Sequence, residues 1–289
     1  MPVSYLLIKE PDPVMSMKPV YTDTSPKSLL NKGSGYLTGY SHTLNPYVGC
    51  SFACSYCYVK QMPVALFRQA SWGSWVDIKR GAASLFRKEY QRAAAKGAVT
   101  IFMSSSTDPY QPIEHKVQIT RSLLEAMTEQ PPDFLLIQTR SPLVSRDIDL
   151  LQQLGSKVRV SMTVETDLEE IRKHFTPYAP PIAARLRAIR ELAEAGIAVQ
   201  ATIAPVLPSS ERFPQLLNTL PLQHVCVDDY YMGDGSGGKR TERNGTAALY
   251  RELGLEDWYS KDAWRLVYER LRGVFSDEQL RVSQQGFAP

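Results

Sequence analysis

The sequence predicts an α/β protein in which a parallel sheet is covered by helices, and three observations carry that expectation. From residue 99 onward, short apolar runs alternate with segments of helical periodicity, the pattern of strands buried on both faces. Glycines sit where helices should stop, at Gly97 and Gly196. The chain has 289 residues, 43% hydrophobic and 22% charged, which is ordinary globular composition and enough length for one barrel-sized domain.

The elements follow in order. Residues 1–35 carry Pro11, Pro13, Pro19 and Pro26 and read as an N-terminal arm laid over the core, partly irregular. Tyr36 to Leu44 alternates enough to be a first strand. Trp72 to Lys79 reads as a turn or short strand, and Ala82 to Lys96 as a helix with Ala83, Leu85, Phe86, Tyr90, Ala93 and Ala94 at helical spacing. Val99–Met103, Phe134–Thr139, Val158–Val164, Ile197–Ile203 and His224–Asp228 are the further strands. Gln118–Glu129, Asp147–Leu154 and Ile182–Ala195 are helices between them. With the first strand this makes six βα repeats, and on pattern alone a barrel and a flat doubly wound sheet both fit. Gly233-Asp234-Gly235-Ser236-Gly237-Gly238-Lys239-Arg240 reads as a flexible loop, a mobile lid or linker. It nearly spells a phosphate-binding loop, but Arg240 stands where the hydroxyl should be. Residues 246–272 read as helical and the tail from Gln284 to Pro289 as disordered. The expected division is an arm over 1–35, a core over 36–235 and a C-terminal helical extension over 236–289.

The chemistry concentrates in Asn45-Pro46-Tyr47-Val48-Gly49-Cys50-Ser51-Phe52-Ala53-Cys54-Ser55-Tyr56-Cys57-Tyr58, which holds three of the four cysteines in C-x3-C-x2-C spacing. Three thiolates in so short a loop can wrap one inorganic centre, one too few for an ordinary four-cysteine cluster. A [4Fe–4S] cube held this way keeps one iron open. Competing readings are a disulfide pair with one cysteine over, three buried structural cysteines, and a zinc-stabilised binding protein with His42 as fourth ligand.

This stretch resembles the signature of the radical S-adenosylmethionine (SAM) superfamily, with aromatic Tyr56 just before the last cysteine. The resemblance implies a partial (βα)6 TIM-like barrel and an enzyme. It implies that Cys50, Cys54 and Cys57 ligate a [4Fe–4S] cluster whose open iron binds SAM. Reductive cleavage of SAM then gives a 5′-deoxyadenosyl radical that abstracts hydrogen from a substrate. An external electron donor, flavodoxin- or ferredoxin-like, is implied as well.

Sites in parallel barrels lie where strands end and helices begin. Ser104-Ser105-Ser106-Thr107-Asp108-Pro109-Tyr110-Gln111-Pro112-Ile113-Glu114 follows the second strand and is similar to the S-T-D-P-Y-Q-P-x-E stretch of the branch related to spore photoproduct lyase. That likeness puts Ser105, Ser106, Thr107 and Asp108 beside the amino end of SAM. Arg140 follows the third strand and Glu165 the fourth, where a carboxylate suits ribose hydroxyls. Arg185, after a proline-rich lead, suits the SAM carboxylate, since its planar fork matches that geometry. Ala204 would meet the adenine edge, with Tyr58 packing on the same ring. Tyr56 and Tyr58 match two tyrosines flanking the last cluster cysteine in that branch. The branch's hydrogen-donating cysteine has no counterpart in Met103-Ser104-Ser105-Ser106. Cys226, in the sixth strand, is the remaining candidate for catalysis together with Tyr56.

The substrate is left open between small molecule, peptide and nucleic acid. Net charge is only +3, too little to argue for nucleic acid by itself. Arg68, Lys79, Arg80, Arg87 and Lys88 beside Trp72 and Trp75, and Lys239, Arg240 and Arg243, are the basic sets to inspect. No run of eighteen apolar residues and no charged-then-apolar start is present, so a cytoplasmic protein without a membrane span is expected.

Overall fold

The computed structural model describes residues 18–289. Residues 1–17 of the expected arm, Pro11 and Pro13 among them, lie outside the described residues. The strands are β1 (Val20–Thr24), β2 (Leu30–Lys32), β3 (His42–Leu44), β4 (Tyr47–Val48), β5 (Trp75–Lys79), β6 (Thr100–Met103), β7 (Phe134–Thr139), β8 (Val158–Thr163), β9 (Ala198–Ile203), β10 (His224–Val227) and β11 (Leu280–Val282). The main sheet runs β11-β10-β9-β8-β7-β6-β3-β2. All its neighbouring pairs are parallel except β2 against β3. Among the described residues no ladder joins β2 to β11, so the barrel is open. A small second sheet, β1-β5-β4, stands beside the cysteine loop, which leaves β4 directly.

Register explains why the strands read as apolar. Ile101, Leu135 and Val158 are aligned neighbours, as are Met103, Ile137 and Val160. They face the helices Ile119–Glu129, Ile148–Leu154 and Ile182–Glu194, whose Leu123, Leu124, Leu151, Ile189 and Leu192 are buried in the same core. The alternate residues point inward. Phe102 and Leu136 share a second apolar cluster with Tyr40, Cys226 and Phe287. Farther round the interior is polar: Gln200 Nε2 donates to Ser161 Oγ (3.0 Å), and Ser161 and Thr202 hydroxyls bond at 2.5 Å. A strand buried on both faces thus carries apolar groups outward and a mixture inward.

Several expectations need correction. The first strand is only His42–Leu44, because Gly35 takes φ +57° and starts a 3₁₀ turn over Gly35–Leu37 that redirects Tyr36. Helix 246–272 is two helices, Thr246–Glu252 and Ala263–Arg272, broken after Gly254 at φ +64°. The glycine-rich loop is a folded turn rather than a flexible linker. Its Asp234 carboxylate collects the N–H groups of Ser236 (2.7 Å), Gly238 (3.0 Å) and Arg240 (3.1 Å), and the helix Lys239–Arg243 starts there. The tail is ordered too. Residues 280–282 add β11 beside β10, Gly286 oxygen accepts from Gln200 Nε2 (2.9 Å), and Phe287 packs 6.0 Å from Phe102. A tail with one buried aromatic anchor cannot be told from a loose one by composition.

Candidate active site

The site is built at the C-terminal ends of the parallel strands. The loop after β4 turns at Gly49, whose φ is +83° and whose added Cβ would fall 2.6 Å from Trp75 oxygen. Only glycine fits both demands. The loop is then fastened to the segment after β6. Gln111 Oε1 accepts from Ser51 N (2.9 Å) and Ser51 Oγ (3.2 Å), while Thr107 Oγ1 donates to Gly49 oxygen (2.6 Å). Asn244 Nδ2 donates to Cys57 oxygen (2.9 Å), so the C-terminal extension also braces the loop. Gln111 and Asn244 were not singled out from sequence. Gln111 lies inside the polar stretch that was, whereas nothing local marks Asn244.

Cys50, Cys54 and Cys57 line one wall of a cavity of about 550 Å³, within the usual range of about 300–1,000 Å³ for small-molecule sites. Burial pushes the Cys50 and Cys54 thiols above their ordinary value and Cys57 to about 12. Arg140 Nη1 donates to Cys54 Sγ, lies 3.3 Å from Tyr56 oxygen and 3.5 Å from Glu165 Oε1. Asp108 fixes the backbone around it: its carboxylate accepts from Arg140 N (2.9 Å), Thr139 Oγ1 (2.7 Å) and Tyr110 N (2.9 Å). Burial raises the Asp108 carboxyl despite these bonds.

Tyr58, Ser105, Ser106, Thr107, Asp108, Arg140 and Ala204 all line the same cavity as the cysteines and Tyr56. Tyr58 hydroxyl donates to Ser105 oxygen, and Ser106 N donates to Asn45 Oδ1 (3.0 Å). Glu165 and Arg185 do not line it. Arg185, fully buried, donates from Nη1 to Glu165 Oε2 (2.7 Å) and Thr163 oxygen (3.1 Å), and from Nε to Pro180 oxygen (3.0 Å). Glu165 takes Tyr56 hydroxyl on its other oxygen (2.6 Å). The pair therefore stands outside the cavity lining and braces Tyr56 and Arg140. Cys226 is set apart as well. It points inward from β10 but is fully buried below the cavity, against Gly286, whose added Cβ would lie 2.2 Å from the sulfur. Cys226 is not among the residues lining the cavity.

His42, the fourth ligand of the zinc reading, is not among the residues lining the cavity. His42 lies in β3 with Nδ1 2.9 Å from Ser41 Oγ. Among the described residues no three His, Cys, Asp or Glu side chains converge on a single-ion site. The donor set of three cavity-facing thiols fits a multi-iron cluster with an open position. The unpartnered buried atoms Gln138 Oε1 and Trp72 Nε1, both from cavity-lining residues, fit a polar organic ligand beside it.

The candidate nucleic-acid residues are largely committed elsewhere. Arg68 forks onto Asp77 (2.8 and 2.9 Å) and stacks on Trp75, Arg80 pairs with Asp23 (2.9 Å), and Arg87 with Glu129 (2.8 Å). No helix among the described residues is long and apolar enough to cross a membrane.

An open parallel barrel with a cysteine loop and a polar collar at its strand ends defines an enzyme of the (βα)-barrel class. The family model of the Radical SAM superfamily matches residues 44–220, and the chain belongs to that superfamily. An uncharacterised protein of Methanocaldococcus jannaschii is 34% identical over 60% of this chain and 62% of its own length. An uncharacterised protein of Acidianus two-tailed virus is 32% identical over 63% and 61%. The chain thus spans less than two thirds of these relatives. Among solved structures, spore photoproduct lyase complexed with dinucleoside spore photoproduct superposes with a TM-score of 0.66 at 14% identity, over 91% of this chain and 81% of that one. A variant of that lyase with bound AdoMet and the photoproduct gives 0.64 at 15% identity, with the same coverage. These likenesses show the shared fold.

Proposed function

We propose that the protein binds a [4Fe–4S] cluster on Cys50, Cys54 and Cys57 and uses it to cleave SAM reductively. The supporting observation is that the three thiols line the same cavity as the polar residues following β6 and β7. When bound, cluster and SAM supply the radical that takes a hydrogen atom from the substrate. The chain's own part is holding and orienting. Gln111 and Thr107 fix the loop, Arg140 places positive charge against Cys54 sulfur, and Glu165 with Arg185 holds Arg140 and Tyr56 in place. Hydrogen bonds to a cluster sulfur are among the levers that set its potential. Tyr58, Ser105, Ser106, Thr107, Asp108, Arg140 and Ala204 are the proposed SAM contacts. A flavodoxin- or ferredoxin-like donor would supply the electron, and residues 36–235 would form the radical-generating unit, closed by arm and extension. A nucleic-acid substrate is a second reading, supported by the fold shared with a protein solved in complex with dinucleoside spore photoproduct. The paired state of Arg68, Arg80 and Arg87 weighs against it.

Anaerobic, cluster-replete protein given dithionite and SAM is expected to release 5′-deoxyadenosine and methionine, read by mass spectrometry. Cluster-replete protein that leaves SAM intact would overturn the proposal.

A further inference from the structure

Two adjacent carboxylates, Asp228 and Asp229, leave the end of β10 and line the cavity together with Asp234. Asp228 Oδ2 accepts from Tyr36 hydroxyl (2.8 Å) and its Oδ1 from Asp229 N (2.9 Å). Asp229 Oδ1 accepts from Tyr231 N (2.8 Å) and Met232 N (2.7 Å), while its Oδ2 is buried without a partner. Both residues are at least nine-tenths buried, at 4% and 7% exposure. Among the described residues neither forms an ion pair. Arg240, which lines the same cavity, turns its Nη1 to Asp234 backbone oxygen (2.8 Å), and Lys32 lies at the exposed rim. Burial raises both carboxyls above their ordinary value, Asp228 to about 7, as befits carboxylates without a cation. A second buried group opens on the same space: Ser104 Oγ, 4% exposed, has no partner and also lines the cavity.

Carboxylates that stay buried without a counter-charge are costly, and proteins retain them where a ligand completes the pair. A carboxylate offers about four acceptor positions. Asp228 takes the Tyr36 and Ser283 hydroxyls and the Asp229 N–H, and Asp229 leaves a whole oxygen free. A partner that donates hydrogen bonds and carries positive charge would complete both groups. A phosphodiester there would meet like charge instead.

We propose that Asp228 and Asp229 form a subsite for an ammonium or guanidinium group, and that the substrate of this enzyme is a cationic amine-type molecule or side chain. Only the word substrate rests on the radical reading; the subsite stands on the carboxylate geometry. The carboxylates follow β10, whereas the cysteines are carried by the loop after β4, and Asp228 packs against Tyr36 from the N-terminal side of the chain. Gly233 makes the packing possible, because a Cβ there would lie 2.4 Å from Asp228 Oδ2.

The test uses agmatine, which carries both cationic groups, in equilibrium dialysis against the oxidised cluster-bound protein with and without SAM. Saturable binding is expected, weakened at least tenfold by Asp229→Asn and by Asp228→Asn. The surface variant Asp262→Asn should leave it unchanged, and dimethyl phosphate should not compete. SAM affinity, read from the same dialysis with labelled SAM, should be unaltered by Asp229→Asn. Equal agmatine binding to wild type and both variants, or none to wild type while SAM still binds, would overturn the subsite. So would a tenfold loss of SAM affinity in Asp229→Asn, which would assign the carboxylates to the ammonium of SAM. Agmatine binding that persists in a protein unable to cleave SAM would sustain the subsite and sink the radical reading instead.

Discussion

Cys54→Ala is expected to remove the cluster and lower SAM cleavage by at least a thousandfold, to background. On the proposed ligation the variant keeps two of three thiols, and the thiol it loses is the one to which Arg140 donates. Iron and sulfide content after anaerobic reconstitution, with 5′-deoxyadenosine as the activity readout, checks the outcome. Fold is not expected to fail: Ala fits the site, and the neighbouring backbone bonds Ser55 N to Phe175 oxygen (2.9 Å) and Ser51 N to Gln111 remain. Circular dichroism and the melting temperature should therefore stay near wild type. Cys226→Ala is the contrast. Its sulfur is buried beneath the cavity against Gly286, so iron content and SAM cleavage should be kept. Cleavage retained by Cys54→Ala, or lost in folded Cys226→Ala, would contradict the assignment.

The second large effect concerns stability. Glu165 and Arg185 are both almost wholly buried and bonded at 2.7 Å. Removing one member of such a pair leaves the other charge uncompensated, at a cost of about 3–5 kcal/mol. Glu165→Gln should thus lower the melting temperature by on the order of 10 °C, since each kcal/mol is worth about 2–4 °C at this size. Burial pushes the Glu165 carboxyl up, but Arg185, Arg140 and Tyr56 outweigh it and hold it below the ordinary 4.5. A depressed folded-state value stabilises the fold above the ordinary value and stops doing so as pH falls through the depressed one. The gap between wild type and Glu165→Gln should therefore be full near pH 7 and narrow in acid below the ordinary value. Glu165→Leu with Arg185→Met should recover part of the loss, because the fully buried Arg185 charge is removed with its partner while Arg140 still loses its ion pair to Glu165. A single variant as stable as wild type across pH would show that the pair contributes nothing.

That pair also marks where sequence reading runs out. The runs at 99–103, 134–139, 158–164 and 197–203 were legible because strands buried on both faces leave long apolar words. The cysteine loop was legible because its spacing is its own signal. Glu165 and Arg185 were recognised as special, yet their pairing was not: one follows a strand and the other lies in a helix twenty residues on, and nothing in the sequence reports that the two meet. Cys226 was placed in the right strand, but its inward neighbours Gly286 and Phe287 come from a tail some sixty residues on that reads as disordered. β11 is three residues long at a sheet edge, too short for any period to show. Asp228 and Asp229 were within reach, for they follow a strand, and the rule that found Asp108 applies to them equally.

On the proposed function, Cys50, Cys54 and Cys57 hold a cluster whose remaining iron is open to SAM. The most direct measurement is electron paramagnetic resonance of the reduced, cluster-replete protein before and after SAM is added, with 17O-carboxylate and 15N-amino SAM for hyperfine coupling. A changed cluster signal with couplings to both labelled groups is the predicted result. A signal that SAM leaves unchanged, or protein that binds zinc and never a cluster under reconstitution, would contradict it.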